Sequence, residues 1–269
     1  MASAAICAIV KNEGDYIAEW LAHHLALGFD RALVFDNRST DRTRAELHRA
    51  GRAFPVEVRD WPGAGHHHAQ IAAYERACRD LAGRVDWVAF LDADEFLVCR
   101  SHERLPDLLA RHRTSAGIAV NWLMFGTSGH EERPGGLVLE AFRMRGDAGF
   151  AANRHVKSIV RPEAARACLN PHAFALDGPC CDVDGRPVEW ETPGVLATPP
   201  HVETWRVHHY FTRHRGSWAA KIARGRPERG APSRRIADFH VLDRNEVYDP
   251  TALRYVPEVR AMLARLNAA

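Results

Sequence analysis

Two carboxylates follow an apolar segment of this chain: Asp92 and Asp94 come directly after residues 86–91. An apolar run of this length predicts a buried strand, so both side chains would leave the end of that strand together. Carboxylates in this arrangement can share a hard divalent cation, which can bridge two phosphates and stabilise the charge developing on a leaving diphosphate. The alternative is that Asp92 caps a turn while Asp94 is solvated. The position directly after a strand favours the metal site.

Three more polar clusters occupy equivalent places in the chain. Each follows a predicted strand: residues 11–13 follow 3–10, residues 36–41 follow 31–36, and residues 61–68 follow 55–59. Predicted helices separate these strands, at 14–27, 41–50 and 68–82. Because parallel sheets bind their ligands beyond the carboxyl ends of the strands, we expect all four clusters to line one crevice.

The cluster at 36–41 has the chemistry of a nucleotide contact. Asp36 and Asn37 could bind the edge of a base or the hydroxyls of a ribose, and Ser39 or Thr40 could cap a helix whose N-terminus favours anions. The alternative is a capped turn without a ligand. The G-x-G-x-x-G sequence of dinucleotide sites is absent after the first strand, so NAD and FAD are not expected.

The order of elements predicts an α/β fold, with a mostly parallel sheet flanked by helices. Strands and helices alternate four times in the first hundred residues. The second half is less regular and predicts a smaller, irregular portion. Its predicted elements are a helix at 105–112, strands at 117–125, 137–143 and 156–161, a long loop at 177–200, and helices at 215–224 and 256–266.

Composition limits the class of protein. The 269 residues are 46% hydrophobic, which suits one large α/β domain, and the formal net charge of +2 does not indicate a nucleic-acid partner. No apolar run reaches the roughly 18 residues that cross a bilayer, and the N-terminal segment is typical of a strand and not of a signal peptide. The six cysteines form no C-x-x-C pair. Together these features predict a reduced, cytoplasmic chain without a transmembrane span.

Six segments carry a common pattern: residues 8–24, 35–41, 87–96, 121–130, 155–162 and 208–213. They include Val-Lys-Asn-Glu-Gly, Phe-Asp-Asn-Arg-Ser-Thr-Asp and Phe-Leu-Asp-Ala-Asp-Glu. Together they resemble the GT-A-fold glycosyltransferases of the family 2 and family 92 type. The resemblance implies a GT-A (Rossmann-like) domain at 1–225, with a nucleotide-binding half at 1–100 and an acceptor half at 101–225. A C-terminal helical extension would follow at 226–269.

The resemblance also implies donor-binding positions. Those matching the nucleoside pocket are Asn12, Glu13, Asp36, Asn37 and Asp41. Those lying where a helix approaches the donor are Gln70 and Tyr74. Those expected at the diphosphate are Lys221 and Arg224, whose charges suit phosphate oxygens.

A metal site follows from the same resemblance. Asp92 and Asp94 match the metal motif, with Asp94 preferred to Asp92 as the direct ligand, and His209 completes the site. By spacing alone, His208 is an equal alternative to His209. Carboxylate and imidazole ligands suit Mn²⁺ or Mg²⁺ and leave positions open for phosphate oxygens.

The catalytic base is the least determined residue. An inverting transferase needs a carboxylate or imidazole beside the acceptor hydroxyl, and His130, Glu131 and Glu132 are the candidates. The alternative for these three residues is an exposed acidic loop. Lys157 either holds a phosphate or is a lysine at a strand edge.

The sequence therefore predicts a metal-dependent, inverting glycosyltransferase that uses a nucleotide-diphosphate sugar. We expect a UDP-sugar as donor, a glycan or lipid-linked acceptor, and a role in polysaccharide biosynthesis. An Arg-rich segment at 206–235 allows peripheral membrane contact, and the alternative for this segment is a solvated basic surface. The alternatives are a phosphohydrolase or nucleotidyltransferase that uses the same aspartates, and a non-catalytic protein that binds nucleotide sugars. Haloacid-type phosphatases carry their aspartates after the first strand, whereas here they follow the fourth.

Overall fold

The computed structural model describes residues 2–62, 69–224 and 235–268, apart from the side chain of Arg224. The first hundred residues alternate strands with helices, which confirms the predicted order. These elements are β1 (Ala4–Val10), α1 (Ile17–Leu27), β2 (Arg31–Asp36), α2 (Thr43–Ala53), β3 (Val56–Asp60), α3 (Ala69–Leu81), β4 (Trp87–Phe90) and β5 (Glu95–Cys99).

The rest of the described chain contains five helices and, apart from the eight-residue β6, mostly short strands. Up to residue 224 the elements are α4 (Leu105–Arg111), β6 (Gly117–Met124), α5 (Val138–Ala141), β7 (Met144–Arg145), β8 (Val156–Val160), β9 (Ala165–Asn170), β10 (Ala173–Leu176), β11 (Cys180–Asp182), β12 (Trp190–Thr192), β13 (Val195–Leu196), β14 (Trp205–His209) and α6 (Arg215–Arg224). The last elements are α7 (Ile236–Leu242), β15 (Val247–Tyr248) and α8 (Val256–Ala268). Single 3₁₀ turns occur at Ala151–Arg154, Pro162–Ala164 and Thr251–Tyr255.

One large sheet organises the described residues. Its strand order is β3-β2-β1-β4-β8-β6-β14-β5, and β11 pairs with β6. The pairs among β1 to β4 are parallel, as are β14 with β6 and β11 with β6. Only β8 and β5 run antiparallel to their neighbours. The prediction of an α/β fold with a mostly parallel sheet is confirmed.

Both faces of the sheet are buried. Along β1, Ile6 and Ala8 pack into the core beneath α1, α2 and α8, whereas Ala5 and Cys7 pack into the core beneath α3. Successive strand residues point to opposite faces, so a strand covered on both sides is apolar throughout. The C-terminal helix α8 belongs to the first core, where its Leu266 is fully buried.

The predicted strand at 137–143 is wrong, because residues 138–141 form the short helix α5. The carboxylate of Glu19 on α1 accepts hydrogen bonds from the backbone N–H groups of Val138 (2.8 Å) and Leu139 (3.1 Å). These are the groups that lack partners at the start of a helix. A tertiary contact therefore makes this segment helical, although its sequence resembles that of a strand.

The predicted loop at 177–200 is also wrong in part. It contains β11, which adds to the large sheet beside β6, and the hairpin formed by β12 and β13. Gly194 allows the tight hairpin turn, since its backbone has a positive φ of 89°. Strands of two or three residues are too short to leave a periodic signal in a sequence rich in Pro and Gly.

Gly14 provides a test of how the loop after β1 packs. Its N–H donates to Asp41 Oδ2 (3.0 Å), and a Cβ placed on it would lie 2.8 Å from the backbone nitrogen of Thr43. We expect Gly14→Ala to destabilise the protein by about 1–3 kcal/mol in urea unfolding, because the start of α2 would have to move. Gly149→Ala is the matched control, since nothing lies within 4 Å of its added Cβ. Equal stability of the two variants would contradict this packing.

Candidate functional site

The polar clusters meet at one edge of the sheet. The carboxyl ends of β1, β2, β4 and β14 lie at this edge because these strands share one direction. The first residues of β5 and β8 reach the same edge because these two strands run the opposite way. The topology thus brings the predicted positions 12–13, 36–41, 92–94, 157 and 209 to one side of the molecule.

Asp92 is held by hydrogen-bond donors. Its Oδ1 accepts from Gln70 Nε2 (2.6 Å) and from the Tyr74 hydroxyl (3.3 Å), both on α3. Its Oδ2 accepts from Lys157 Nζ (3.2 Å) on β8. Burial alone would raise the pKa of the Asp92 carboxyl, but the Lys157 ammonium lowers the pKa below its usual value. Asp92 is therefore an ionised carboxylate fixed by protein donors.

Glu95, which the sequence analysis did not select, completes this cluster. It is fully buried, and its Oε2 accepts from the backbone N–H of Asp92 (2.8 Å) and lies 3.3 Å from Lys157 Nζ. Its Oε1 has no hydrogen-bond partner among the described residues. Burial raises the pKa of Glu95 to about 8. The signal for this residue in the sequence is a Glu that directly follows the two aspartates.

Asp94 faces a different set of groups. Lys221 on α6 donates to its Oδ2, and Nε2 of His209 lies 3.6 Å from its Oδ1. Burial opposes ionisation, yet the Lys221 ammonium brings the pKa of Asp94 well below the usual range. Burial also lowers the pKa of His209, so this imidazole is neutral. The two aspartates therefore point toward different partners.

Strand alternation separates His209 from His208. His208 points to the other face of β14, where its Nε2 accepts a hydrogen bond from Arg206 (2.9 Å) and its Nδ1 lies 3.3 Å from the Tyr210 hydroxyl. Only His209 therefore faces Asp94. The ring of Trp122 lies against His209, with 4.3 Å between centroids, and stacks on His155.

The residues fit a cation that is held only partly by protein. Within the described ranges, no group of three or more His, Cys, Asp or Glu side chains is arranged to hold a metal ion. Asp94 Oδ1 and the neutral His209 Nε2 are nevertheless close enough for both to contact one ion. Mg²⁺ and similar cations commonly take one or two protein ligands and complete their shell with phosphate oxygens and water. The donor set suits a cation that arrives with a diphosphate.

Lys157 and Lys221, the two lysines predicted to meet phosphates, both contact carboxylates of the turn. Lys157 is 1% exposed, so it is not a lysine at a strand edge. Lys221 reaches Asp94 because α6 begins at Arg215, where the backbone N–H of Ser217 donates to Nδ1 of His214 (3.3 Å). The side chain of Arg224 lies outside the described residues, as do residues 63–68 of the third polar cluster.

The predicted nucleoside residues form the two loops after β1 and β2. The Oδ1 of Asn12 accepts from the backbone N–H of Thr40 (2.8 Å), and Asp41 accepts from that of Gly14 (3.0 Å). Asn12 adopts a positive φ of 56°, which is uncommon for a residue with a side chain. These bonds fix the loops against each other.

Three more of these positions have protein partners of their own. Asp36 is buried and accepts from the backbone N–H of Ser39 (3.1 Å). The backbone N–H of Asn37 donates to the carbonyl of Val10 (2.8 Å), which leaves its half-buried side chain at the sheet edge. Glu13 forms an ion pair with Arg213 (2.7 Å). The structure therefore gives Glu13 and Asp41 roles in shaping the loops.

The three candidate bases lie in the loop after β6. His130 Nε2 lies 3.2 Å from the carbonyl of Ala141, so this nitrogen carries the proton and donates. Glu131 is exposed and lies 3.5 Å from Arg215, and Glu132 is exposed. The backbone carbonyls of residues 130 and 131 accept from the first N–H groups of α6. None of the hydrogen bonds or ion pairs of the described residues joins the three candidates to Asp92 or Asp94.

This fold and this edge define a class of protein: an α/β protein whose sheet presents carboxylates, an imidazole and two ammonium groups at its carboxyl ends. The sequence profile of glycosyltransferase family 92 matches residues 4–192, which is more than half of the chain. The chain therefore belongs to glycosyltransferase family 92. The predicted resemblance and the predicted class, a glycosyltransferase, are confirmed at the level of the family.

Two plant proteins of family 92 illustrate the relationship. One from Ricinus communis is 30% identical over 169 residues, which cover 61% of this chain and 29% of that protein. One from Oryza sativa subsp. japonica is 30% identical over 173 residues, which cover 63% and 28%. The chain thus spans less than a third of the length of these curated relatives.

Solved structures are similar at a lower level. S. aureus TarS 1–349 in complex with UDP has a TM-score of 0.39 and 18% identity, covering 60% of this chain and 47% of that one. Glucosyl-3-phosphoglycerate synthase from Mycobacterium tuberculosis, in complex with Mn²⁺, UDP-glucose and phosphoglyceric acid, has a TM-score of 0.38 and 14% identity. That match covers 71% of this chain and 73% of the other. None of the helices in the described residues is long and apolar enough to cross a membrane.

The buried Glu95 predicts how stability depends on pH. Its pKa is raised on folding, so the folded state binds the proton more tightly and stability falls as pH rises from about 4.5 toward 8. We expect Glu95→Gln to remove this loss and to gain more than about 1 kcal/mol relative to wild type between pH 5 and pH 9. Urea unfolding at both pH values measures the difference. The exposed Glu258→Gln is the control; a Glu95→Gln difference that does not change with pH would contradict the prediction.

Proposed function

We propose that this chain transfers a sugar from a nucleotide-diphosphate donor to a hydroxyl acceptor, with the help of a divalent cation. Membership of family 92 supports the reaction class. The observation that carries the proposal is the meeting of Asp94 with His209, which come from distant parts of the chain and approach within 3.6 Å. A carboxylate and a neutral imidazole at the carboxyl end of a parallel sheet suit a cation that faces phosphates.

The cation would be held by Asp94 and His209. When bound, it would neutralise the charge that develops on the departing diphosphate. Asp92 would contribute a carboxylate that is already held in one orientation, because Gln70, Tyr74 and Lys157 donate hydrogen bonds to it. Orientation of this kind limits the rearrangement that the site needs during the reaction.

Lys221 would serve the diphosphate directly. Its ammonium donates hydrogen bonds to Asp94 and to the carbonyl of Phe211, beside the place where the cation would bind. A flexible lysine side chain can move from a carboxylate to a phosphate oxygen, because its charge is compact and not confined to one plane. We infer that Lys221 makes this move when the donor enters.

A UDP-sugar is the donor that we propose, with the nucleoside lying against the loops that contain Asn12 and Asn37. We propose a single displacement that inverts the anomeric centre, with a glycan hydroxyl as acceptor. The base is to be sought in the loop after β6, at His130, Glu131 or Glu132. Release of free sugar without an acceptor would indicate the hydrolase alternative instead, and donor binding without turnover would indicate a binding protein.

The first test uses Asp94. We expect wild type to gain a few degrees in Tm with a UDP-sugar only when Mn²⁺ is present, because ligands that bind the folded state stabilise it. Asp94→Asn should lose this shift and, with an acceptor, about 10²–10³-fold in kcat/KM. Asp177→Asn, which changes an exposed carboxylate, is the control. Unaltered donor binding and turnover in Asp94→Asn would refute the proposal.

Lys221 provides a second test, in which the affinity for Mn²⁺ alone should rise and the affinity for the Mn²⁺–UDP complex should fall. In Lys221→Met, Asp94 loses its ammonium partner, so we expect Mn²⁺ without nucleotide to bind severalfold more tightly. The Mn²⁺–UDP complex should bind about tenfold more weakly, because a phosphate contact is lost. Electron paramagnetic resonance of free Mn²⁺ measures the first and calorimetry the second. Arg166→Met, which removes an exposed cation paired with Asp177, is the control, and weaker binding in both titrations would argue against the exchange of Lys221.

A further inference from the structure

Arg213 lies between two loops of the site, although the sequence analysis assigned it no role. It follows His209 by four residues and is 3% exposed. Its backbone has a φ of 48°, in the left-handed region that residues with side chains rarely adopt. A strained backbone persists where surrounding contacts determine it, and such positions cluster at functional sites.

The guanidinium of Arg213 makes three contacts, two with the stretch between β1 and α1 and one with the turn between β4 and β5. One terminal nitrogen donates to Glu13 Oε2 (2.7 Å), in the loop after β1. The other donates to the backbone carbonyl of Ala93 (2.9 Å), between the two aspartates. The plane of the group also covers the ring of Tyr16, with the central carbon 3.8 Å from the ring centroid. One side chain therefore connects the loop after β1 to the turn that carries Asp92 and Asp94.

These contacts require arginine. A guanidinium presents several N–H donors in one plane and stacks on an aromatic ring with the same plane. An ammonium could keep the ion pair with Glu13 but could not reach the Ala93 carbonyl from the same position and stack on Tyr16. The carbonyl of Ala93 belongs to the peptide that joins Ala93 to Asp94. A donor that holds this carbonyl also restricts where Asp94 points.

We propose that Arg213 is a positioning residue, which fixes the turn carrying Asp92 and Asp94 against the loop after β1. The inference rests on the proposed function for the identity of the ligands that these two segments contact. The loop after β1 would serve the nucleoside, and the turn would serve the cation and the diphosphate. Arg213 thereby sets the distance between the two ends of one donor molecule.

The mechanical part of the proposal is tested without ligand, in Arg213→Lys, Glu13→Gln and the double variant. Hydrogen exchange of peptides spanning residues 91–96 reports the turn, where the N–H of Glu95 donates to the carbonyl of Asp92 (3.0 Å). We expect exchange about tenfold faster in each single variant and no further increase in the double variant, because both residues act through one link. Rates equal to wild type, or increases that add, would overturn the proposal.

Arg206→Lys is the matched control. Arg206 is equally buried, forms an ion pair with Asp249 (2.8 Å) and lies on β14, but it contacts neither the turn nor the loop after β1. It should lower the midpoint of urea unfolding, as Arg213→Lys does, and leave exchange of residues 91–96 unchanged. An equal increase of exchange in this control would mean that any buried arginine has the effect, and would overturn the proposal.

The functional part is read from calorimetric titration of UDP with Mn²⁺. We expect about tenfold weaker binding in Arg213→Lys and in Glu13→Gln, and wild-type affinity in Arg206→Lys. Faster exchange with unchanged UDP–Mn²⁺ affinity would reduce Arg213 to a structural residue and overturn the positioning role. If wild type binds no nucleotide diphosphate, the proposed function fails, whereas the exchange measurements still decide whether Arg213 fixes the turn.

Discussion

The structure depends on the balance of charge at the turn between β4 and β5. Asp92, Asp94 and Glu95 lie within four positions of each other, and burial together with the charges of the two aspartates raises the pKa of Glu95 to about 8. Lys157 opposes two of them, Asp92 and Glu95, while Lys221 opposes Asp94. The two lysines come from β8 and α6, so these elements must be in place for the turn to form. Loss of either partner would leave a buried charge without compensation, which links the fold to the site.

The choice between lysine and arginine carries information in this chain. Of its 36 basic residues only three are lysines, at positions 11, 157 and 221, and two of these lie on the aspartates. An ammonium is a compact charge that can sit between two carboxylates or move to a phosphate oxygen, whereas a guanidinium holds partners in a fixed plane. Lysine therefore occupies position 157, where two carboxylates share one ammonium, and position 221, where we propose that the side chain moves. Arginine stands at position 213, where fixed contacts are needed.

The sequence predicts those parts of the fold and site that local patterns determine. Apolar runs with polar residues at their ends placed β1 to β4 and brought Asp92 and Asp94 to the sheet edge. The strand β5 was not predicted, because it follows the turn without a helix and pairs with β14, more than a hundred residues away. The helix α5 depends on Glu19, which is 119 residues from Val138. The groups that contact Asp92 and those that contact Asp94 likewise come from distant elements, so no local pattern distinguishes the two aspartates.

In the proposed reaction, the cation and the diphosphate would have to enter together. A cation alone would meet the Lys221 ammonium at Asp94, and a diphosphate alone would find that ammonium already paired with the Asp94 carboxylate. With both present, Lys221 would pair with the diphosphate, and Asp94 and His209 would hold the cation. A site with only two protein ligands is suited to this exchange, because a complete set would hold the cation without the donor.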